Sequence, residues 1–355
     1  MKIVTVAGAR PQFIKMAPVS RELRRYFSEV IVHTGQHYDY EMDRIFFDQL
    51  EIPAPDYHLS VGSGSHGHQT GEMLKRIEDV LLEEKPDLVL TYGDTNSTLA
   101  GALAASKLNI KTAHVEAGMR SFDRSMPEEV NRVLTDHCSD LFFCSTETAV
   151  ENLRREGIIN GVYLTGDVMV DSLLHNRENA GSKSTILKAL GLKEKGYLVA
   201  TIHRAGNTDS KDNLVSIVKS FSELEEMVVF PVHPRTEKYL KKYGLDKRVK
   251  ASVKLIKPLG YLDFLVLMSN AKKIITDSGG VQKEAYILKV PCITLRENTE
   301  WIETVEDGWN VLVGADTEKI VRMVKEFDPS PKNHRERYGS GNAGRRIADT
   351  IKEEL

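Results

Sequence analysis

The segment KKIITDSGGVQKEA, residues 272–285, joins an apolar run of strand length to a stretch with helical spacing through a Ser-Gly-Gly turn. A helix start presents unpaired N–H groups and a partial positive charge, and glycines let a phosphate approach the backbone closely. Ser278, Gly279 and Gly280 fit that use, and Glu284 is placed to accept hydrogen bonds from ribose hydroxyls. The alternative is structural: Ser278 caps the helix, and the two glycines form the turn.

The same strand-then-helix alternation runs through the whole chain and predicts an α/β fold with parallel sheets. Helical stretches such as EMDRIFFDQL, residues 41–50, separate the strands. The predicted strands are KIVTVAG, EVIVHTGQ, DLVLTYGD, KTAHVEAG and DLFFCST in the first half, then YLVATIHR, MVVFPVHPR, SVKLIKPLG, KKIITDSGG, VPCITLRE and NVLVGAD.

The pattern restarts after a polar stretch near Asp171, and 355 residues exceed the roughly 250–300 at which a single core stops growing. We therefore predict two Rossmann-like, doubly wound domains. The first covers residues 1–170, the second covers residues 171–335, and a C-terminal helix covers residues 336–355.

Composition excludes several classes of protein. A formal net charge of −3 gives no basic footprint for nucleic acid. Three cysteines, Cys138, Cys144 and Cys292, fit neither a disulfide framework nor a metal-ligand spacing. The N-terminus does not resemble a signal peptide, and no apolar run approaches the ~20 residues that cross a membrane. We expect a cytoplasmic protein that binds neither nucleic acid nor membrane.

Polar residues concentrate at the ends of predicted strands in both halves. In doubly wound sheets, ligands bind beyond the carboxyl ends of the strands, so we predict two such rims that face each other across a cleft between the domains. The residues at these ends are Gly8-Ala9-Arg10, Gly93-Asp94, Glu116-Ala117-Gly118, His203-Arg204, His233-Pro234-Arg235 and Ser278-Gly279-Gly280.

The first strand-end loop, AGARPQFIK at residues 7–15, lacks the G-x-G-x-x-G pattern of a dinucleotide site and therefore predicts no NAD. It places Arg10 at the strand end and Lys15 on the following helix. Both cations suit a diphosphate. The alternative is that they are two solvated surface cations.

Several acids indicate more than binding. Asp94 and Glu116 each follow a buried strand, where an uncompensated carboxylate costs several kcal/mol, and acid–base chemistry would account for both. Glu128 and Glu129 begin a helix, where acids also suit the helix dipole. His203 ends the first strand of the second half, where it is either a phosphate donor, an acid or a structural histidine.

Six motifs taken together resemble those of the non-hydrolysing UDP-N-acetylglucosamine 2-epimerase family: GARPQFIKMAPV, TYGDTNSTLAGALAA, HVEAGMRS, PEEVNRVLTD, ATIHR and TDSGGVQKEA. The resemblance runs in order from residue 1 to about residue 345. It implies an isomerase with the two-domain architecture of GT-B glycosyltransferases that needs neither NAD nor metal. It also implies a homodimer whose C-terminal helix packs back on the first domain.

The resemblance assigns roles to individual residues. Asp94, Glu116 and Glu128 match the three catalytic acids, and His203 matches an essential histidine near the phosphates. The remaining matches are Arg10 and Lys15 at the diphosphate, Ser278, Gly279 and Gly280 at the phosphates, Glu284 at the ribose, Phe264 at the uracil and Arg132 in the cleft.

The chain departs from the family pattern in two motifs. The first motif is closer to GTRPEAIK in the family, and Trp301-Ile302 stands where Arg-Pro is common. Both departures resemble the branch that acts on UDP-2,3-diacetamido-2,3-dideoxy-glucuronate.

Some family members bind a second UDP-GlcNAc as an allosteric activator. Gln36 and Gln69 match that site, but His68 replaces an arginine and HYDYEMD, residues 37–43, is longer than usual. These differences argue against allosteric activation in this chain.

The implied reaction inverts C2 of the sugar, whose C–H bond is not next to a carbonyl. The family solution eliminates UDP to give 2-acetamidoglucal and adds UDP back with a proton on the other face. We predict that Arg10, Lys15, His203 and the Ser278 helix start stabilise the departing diphosphate. Crowding of carboxylates near it should raise at least one pKa, and the domains should close around the intermediate.

Alternatives remain open at this level. UDP-GlcNAc is the first choice of substrate and the diacetamido uronate the second. A GT-B glycosyltransferase would share the fold but would need an acceptor site, and a hydrolysing epimerase often carries a fused kinase domain. A non-enzymatic UDP-sugar sensor would leave Asp94 and Glu116 unexplained.

Overall fold

The computed structural model describes residues 1–36, 47 and 50–355, and for residues 178–183 it describes the backbone only. The predicted helix at 41–50 therefore lies outside the described residues except for Phe47 and Leu50, and HYDYEMD lies wholly outside them. The chain divides into two compact units. Unit 1 comprises Met1–His175 and Glu336–Leu355, and unit 2 comprises Asn176–Arg335.

Unit 1 is built on a parallel sheet, seven-stranded within the described residues. Its strands are β1 Lys2–Ala7, β2 Ser28–His33, β3 Tyr57–His58, β4 Leu88–Tyr92, β5 Lys111–Ala117, β6 Leu141–Cys144 and β7 Val162–Leu164. The strand order is β3-β2-β1-β4-β5-β6-β7, and every pairing is parallel.

Unit 2 is built on a second parallel sheet, with six strands in the described part of the unit. They are β8 Tyr197–Thr201, β9 Met227–Pro231, β10 Lys254–Ile256, β11 Lys273–Thr276, β12 Cys292–Thr294 and β13 Asn310–Leu312. The order β10-β9-β8-β11-β12-β13 reverses direction between β8 and β11, the point at which doubly wound sheets bind ligands.

Helices separate most of the strands, and each sheet buries apolar side chains on both faces. The helices of unit 1 and of the boundary are Arg10–Leu23, His66–Glu84, Asn96–Lys107, Pro127–His137, Glu147–Arg155, Val168–Lys183 and Ala343–Glu354. Those of unit 2 are Ile186–Leu190, Ala205–Thr208, Lys211–Glu223, Pro234–Lys242, Asp246–Ser252, Tyr261–Ser269, Gly279–Ile287, Ile302–Glu306 and Thr317–Glu326, followed by the 3₁₀ turn Pro331–Asn333.

The predicted fold class, α/β with two doubly wound parallel sheets, is confirmed, and each of the eleven predicted strands is present. Two further strands, β3 and β7, were not predicted. They lie at the two edges of the unit 1 sheet and span two and three residues. Runs this short, with no buried residue, carry too little periodicity to be recognised in a sequence.

The last helix, Ala343–Glu354, packs against the first helix within unit 1. Ile347, Ala348 and Ile351 form its buried face. Close approach requires glycine at Gly344, because a Cβ there would lie 2.8 Å from the backbone oxygen of Pro18.

Candidate active site

Three neighbouring strands in the middle of the unit 1 sheet end beside the predicted acids and cations. Arg10 is the first residue of the helix after β1, Asp94 follows β4, and Glu116 is the penultimate residue of β5. Because β1, β4 and β5 are adjacent and parallel, their carboxyl ends meet at one edge of the sheet. Lys15, from the helix after β1, also reaches this edge.

Glu116 occupies an irregular point in its strand. The register of β5 against β6 shifts between Val115 and Ala117, and Glu116 has a φ of 72°. A left-handed backbone is unfavourable for a residue with a side chain, and a bulge redirects the side chain at that point. The Glu116 carboxylate consequently forms an ion pair with the Nζ atom of Lys15. Such strain is concentrated at functional sites in proteins.

Gly93 leaves room for that ion pair. Its φ is +66°, and a Cβ at this position would lie 2.9 Å from Lys15 Nζ. Burial acts to lower the pKa of Lys15, but the charges of Glu116 and Asp94 outweigh it, so the pKa is raised above its ordinary value. Lys15 is therefore a cation held beside two acids.

Arg132 connects two acids with different surroundings. One of its amino groups contacts the Asp94 carboxylate, whose side chain is 33% exposed. The other lies 3.0 Å from Oε2 of Glu129. The same carboxylate accepts the backbone N–H of Ser121 at Oε2 and that of Phe122 at Oε1. Glu129 is almost fully buried in these contacts and has a structural role. Its neighbour Glu128, the acid named by the family resemblance, is half-buried.

Gln12 is a connecting residue that the sequence analysis missed. Its Oε1 accepts hydrogen bonds from the N–H groups of Gly8 at 2.9 Å and Ala9 at 3.1 Å. Its Nε2 donates to the carbonyl of Tyr92 and the hydroxyl of Thr98, at 3.0 and 3.1 Å. One buried amide thus ties the loop before Arg10 to the end of β4. Gln12 stands in the first quoted motif, GARPQFIKMAPV, but nothing in that motif shows that its amide reaches Tyr92 and Thr98.

The residues matched to an allosteric site are engaged within unit 1. Gln36 Oε1 accepts a hydrogen bond from the Ser97 hydroxyl at 2.7 Å. Gln69 donates to the Gly62 carbonyl at 2.6 Å and accepts from the Asn96 amide at 2.8 Å. His68 is exposed.

Asp277 organises the polar residues of unit 2, and it was not predicted. It is fully buried after β11 and accepts hydrogen bonds from the N–H groups of His203 at 3.0 Å and Arg204 at 3.1 Å. The Asn207 side chain donates to it at 3.1 Å. Since β8 and β11 are neighbours, Asp277 fixes the loop of His203 beside Ser278.

The helix that begins at Gly279 has Ser278 as its N-cap residue, but within the described chain the serine side chain makes no capping hydrogen bond. A Cβ at Gly279 would lie 2.0 Å from Oε1 of Glu300, whose carboxylate pairs with Arg296 at 2.9 Å. Apart from its chain neighbours and the backbone of its own helix, no described atom lies within 4 Å of a Cβ placed on Gly280. Packing therefore explains the first glycine but not the second.

The other predicted residues of unit 2 lie near this helix. Glu284 is buried on it, and Phe264 is half-buried against the apolar cluster that contains Val281 and Ala285. At the departure from the family pattern, Trp301 is buried and the Nζ of Lys283 lies 4.1 Å from the centre of its ring. This is a cation–π contact.

The described part of the chain holds neither a metal-ligand cluster nor a membrane-crossing helix. Residues 1–36, 47 and 50–355 contain no group of three or more His, Cys, Asp or Glu side chains suited to a metal ion. No helix in that part of the chain is both long and apolar enough to cross a membrane.

Two parallel-sheet α/β units with polar strand ends define an enzyme of the GT-B-like class, and solved structures of that architecture match the whole chain. More specifically, the chain belongs to the UDP-N-acetylglucosamine 2-epimerase family, a family of isomerases. The family model with that description matches residues 21–352. The resemblance predicted from the motifs is confirmed.

Named relatives of this chain include two kinds of epimerase. A UDP-N-acetylglucosamine 2-epimerase homolog of Methanococcus maripaludis is 62% identical over 355 residues, covering 99% of both chains. The UDP-2,3-diacetamido-2,3-dideoxy-D-glucuronate 2-epimerase of Pseudomonas aeruginosa is 48% identical over 365 residues, covering 99% of both. The crystal structure of the Methanocaldococcus jannaschii UDP-GlcNAc 2-epimerase with UDP-GlcNAc and UDP superposes with a TM-score of 0.94 at 48% identity, covering 99% of this chain and 100% of that one.

Proposed function

We propose that the protein converts UDP-GlcNAc to UDP-ManNAc by inverting C2, without NAD or metal. The observation that carries this proposal is the Lys15–Glu116 ion pair on a strained bulge, with Asp94 paired to Arg132 at the end of the adjacent strand. Inversion requires one group to remove a proton from C2 and another to return a proton to the opposite face. Acids at the ends of neighbouring strands provide such groups.

The proposed chemistry is an elimination followed by its reverse. A carboxylate takes the C2 proton, the C1–O bond breaks with its electron pair leaving on UDP, and a C1=C2 double bond forms. UDP then adds back to C1 while a proton is delivered to the other face of C2. We assign the acid–base steps to Asp94, Glu116 and Glu128. Asp94 pairs with Arg132, Glu116 pairs with Lys15, and Glu128 is half-buried.

Lys15 couples substrate binding to this chemistry in our proposal. A diphosphate competes with Glu116 for the Lys15 cation, because both are anionic oxygen acceptors. When Lys15 turns to the phosphate, Glu116 loses its cation and becomes a stronger base. Lys15 and Arg10 then stabilise the leaving group.

Unit 2 supplies the groups that hold UDP. Ser278 and Gly280 stand at a helix start where, among the described residues, the Ser278 side chain makes no capping hydrogen bond and a Cβ on Gly280 would meet nothing beyond its own helix and chain neighbours. Such a helix start suits a phosphate. His203 is held next to them by Asp277 and donates to the phosphates. Glu284 accepts from the ribose and Phe264 packs on the uracil.

The deciding experiment is proton NMR of the purified protein with UDP-GlcNAc in D₂O, with metals removed by a chelator and with no NAD added. We expect UDP-ManNAc to form with deuterium at C2. In a second sample, ¹⁸O in the C1–O bridge should scramble into the non-bridging oxygens of the β-phosphate. Epimerisation without scrambling would overturn the elimination, and sugar transfer to an acceptor without a 2-epimer would favour the glycosyltransferase.

The second candidate is the same reaction on UDP-2,3-diacetamido-2,3-dideoxy-glucuronate. It is favoured by the Lys283–Trp301 contact at the departure from the family motif and by the 48% identity to the Pseudomonas aeruginosa enzyme. The same D₂O assay with this sugar nucleotide tests it. Exchange at C2 with the diacetamido uronate but not with UDP-GlcNAc would replace the first candidate with the second.

A further inference from the structure

His114 is a fully buried histidine in β5, two residues before Glu116. Its Nδ1 lies 2.7 Å from Oδ1 of Asp136, and its Nε2 lies 2.7 Å from the backbone oxygen of Gly93. A carbonyl oxygen only accepts hydrogen bonds, so Nε2 carries a proton. The charge of the ring is decided by whether Asp136 also acts as an acceptor.

Asp136 is ionised by its other contacts. Its Oδ2 accepts hydrogen bonds from Arg120 at 2.7 Å and from the backbone N–H of Gly118 at 3.1 Å. Burial acts to raise the pKa of Asp136, but His114 and Arg120 outweigh it and hold the pKa below its ordinary value. Because Oδ2 of Asp136 faces the Arg120 guanidinium and accepts two hydrogen bonds, Asp136 is a carboxylate and also accepts at Oδ1. Both ring nitrogens of His114 are therefore donors.

His114, Asp136, Arg120 and Glu156 form a hydrogen-bonded cluster whose charges balance. Arg120 also makes two hydrogen bonds of 2.7 Å to the carboxylate of Glu156, in bidentate geometry. Two cations, His114 and Arg120, thus face two anions, Asp136 and Glu156. A buried histidine cation is sustainable in such a neutral, fully hydrogen-bonded group.

The cluster encloses the bulge of Glu116. Asp136 holds the chain at His114 before the bulge and at Gly118 after it. The other N–H of His114 holds the carbonyl of Gly93, the residue before Asp94. One ring therefore fixes the backbone beside both candidate acids.

We infer that His114 is a buried imidazolium that positions Asp94 and Glu116 for catalysis. It is a positioning residue, since it acts through the backbone of Gly93 and through Asp136. The catalytic part of this inference rests on the proposed 2-epimerisation. The charge of the ring does not.

The first test is ¹⁵N NMR of histidine-labelled wild-type protein at about pH 8, where an ordinary histidine with a pKa near 6.5 is neutral. Both ring nitrogens of His114 should carry a proton. His33 is an internal control, because its Nδ1 accepts the N–H of Gly35 at 2.9 Å and is unprotonated. An unprotonated ring nitrogen at His114 would overturn the inference.

The second test is kinetic. His114→Gln keeps a buried polar side chain but cannot carry charge. We expect kcat per UDP-binding site to fall roughly 100-fold, as for a small misplacement of catalytic groups, with KM and UDP affinity unchanged. His137→Gln is the matched control, because His137 lies 3.3 Å from the same Glu156 but is 48% exposed, and its kcat should equal that of the wild type.

The possible outcomes are distinct. An unchanged kcat in folded His114→Gln would refute the positioning role, since a merely structural residue changes melting temperature rather than turnover per site. If that variant does not fold, Asp136→Asn serves instead and should give a neutral His114 ring together with reduced kcat. If wild type epimerises no UDP-2-acetamido sugar, the proposed function fails, whereas the NMR result still decides the charge of His114.

Discussion

Glu116 in unit 1 and Asp277 in unit 2 are carboxylates at the ends of central strands, yet they are held in opposite ways. Asp277 accepts hydrogen bonds from two backbone N–H groups and a side-chain amide. Glu116 stands on a left-handed backbone and pairs with the flexible side chain of Lys15. Backbone donors cannot leave, whereas a lysine can change partners. The first arrangement suits a fixed binding surface, and the second suits groups whose charge changes during a reaction.

The largest expected effect concerns Glu116, the carboxylate whose lysine partner can change. Glu116→Gln should lower kcat by roughly 10²–10⁴-fold, the usual scale for loss of an acid–base group, and leave UDP affinity little changed. We expect a loss of kcat in the same range for Asp94→Asn and Glu128→Gln. Turnover is measured by NMR and UDP affinity by calorimetry.

Two variants serve as controls for that prediction. Glu129→Gln changes the neighbour of Glu128 and should affect stability more than turnover, because Glu129 is locked by Ser121 and Phe122. Asp277→Asn should weaken UDP binding rather than the chemical step. The comparison breaks if Glu116→Gln abolishes UDP binding while bound substrate still turns over.

A third carboxylate, Asp171, extends the comparison, because its protonation should make the stability of the protein depend on pH. Asp171 in unit 1 accepts the N–H groups of Ala343 and Gly344, at 3.1 and 2.9 Å, and burial raises its pKa to about 6 from an ordinary 3.8. The folded protein therefore keeps a proton that the unfolded chain releases between about pH 4 and pH 6. The free energy of unfolding should fall as pH rises through this window, by about 3 kcal/mol at 1.36 kcal/mol per unit.

Asp171→Asn keeps an oxygen acceptor but cannot ionise, so this part of the pH dependence should vanish. Urea unfolding at about pH 4 and about pH 7.5 measures it. Asp349→Asn, on the exposed side of the same last helix, should retain the wild-type slope. If the free energy of unfolding of Asp171→Asn keeps the wild-type pH dependence, the pKa of Asp171 is not raised. The two backbone N–H groups would then outweigh burial and keep this carboxylate ionised.

The smallest effects separate the two glycines of unit 2. Gly279→Ala should lower the free energy of unfolding by about 1–3 kcal/mol, because its Cβ would overlap Glu300 and disturb the pair with Arg296. Gly280→Ala should change stability by less than about 0.5 kcal/mol, since its Cβ enters open space.

Gly280→Ala, which should cost less stability than Gly279→Ala, should cost more UDP affinity. If a phosphate approaches the open side of Gly280, a methyl group there weakens UDP binding in an otherwise stable protein. Thermal melts with and without UDP give both quantities. Unchanged UDP affinity in Gly280→Ala would move the phosphate away from this glycine.

The strands that carry the site were predictable because they are long, apolar and separated by amphipathic helices. The edge strands β3 and β7 were not, since runs of two or three residues without a buried side chain have no measurable period. Polar residues that follow an apolar run of strand length can also be recognised in a sequence. For this reason the candidates included Asp94, Glu116 and the helix start at Ser278.

The sequence could not predict which of two adjacent acids is structural, nor the buried partners that hold the site. Glu128 and Glu129 are identical in type and adjacent, and only the contacts of Arg132 and Ser121 distinguish the structural one. His114 lies inside a strand and Asp136 inside a helix, so neither stands at a strand end. Both fall within quoted motifs, HVEAGMRS and PEEVNRVLTD, but the resemblance assigned no role to either residue. Their role depends on contacts between elements that are far apart in the chain.

The composition of unit 1 also bears on how the protein is made. Unit 1 contains residues from both sides of unit 2 in the chain, and its last helix packs on its first. A ribosome therefore completes the sequence of unit 2 before it synthesises Ala343 and Gly344, the donors to Asp171. Because domains fold as units during synthesis, the unit that carries Asp94 and Glu116 is the last to be completed.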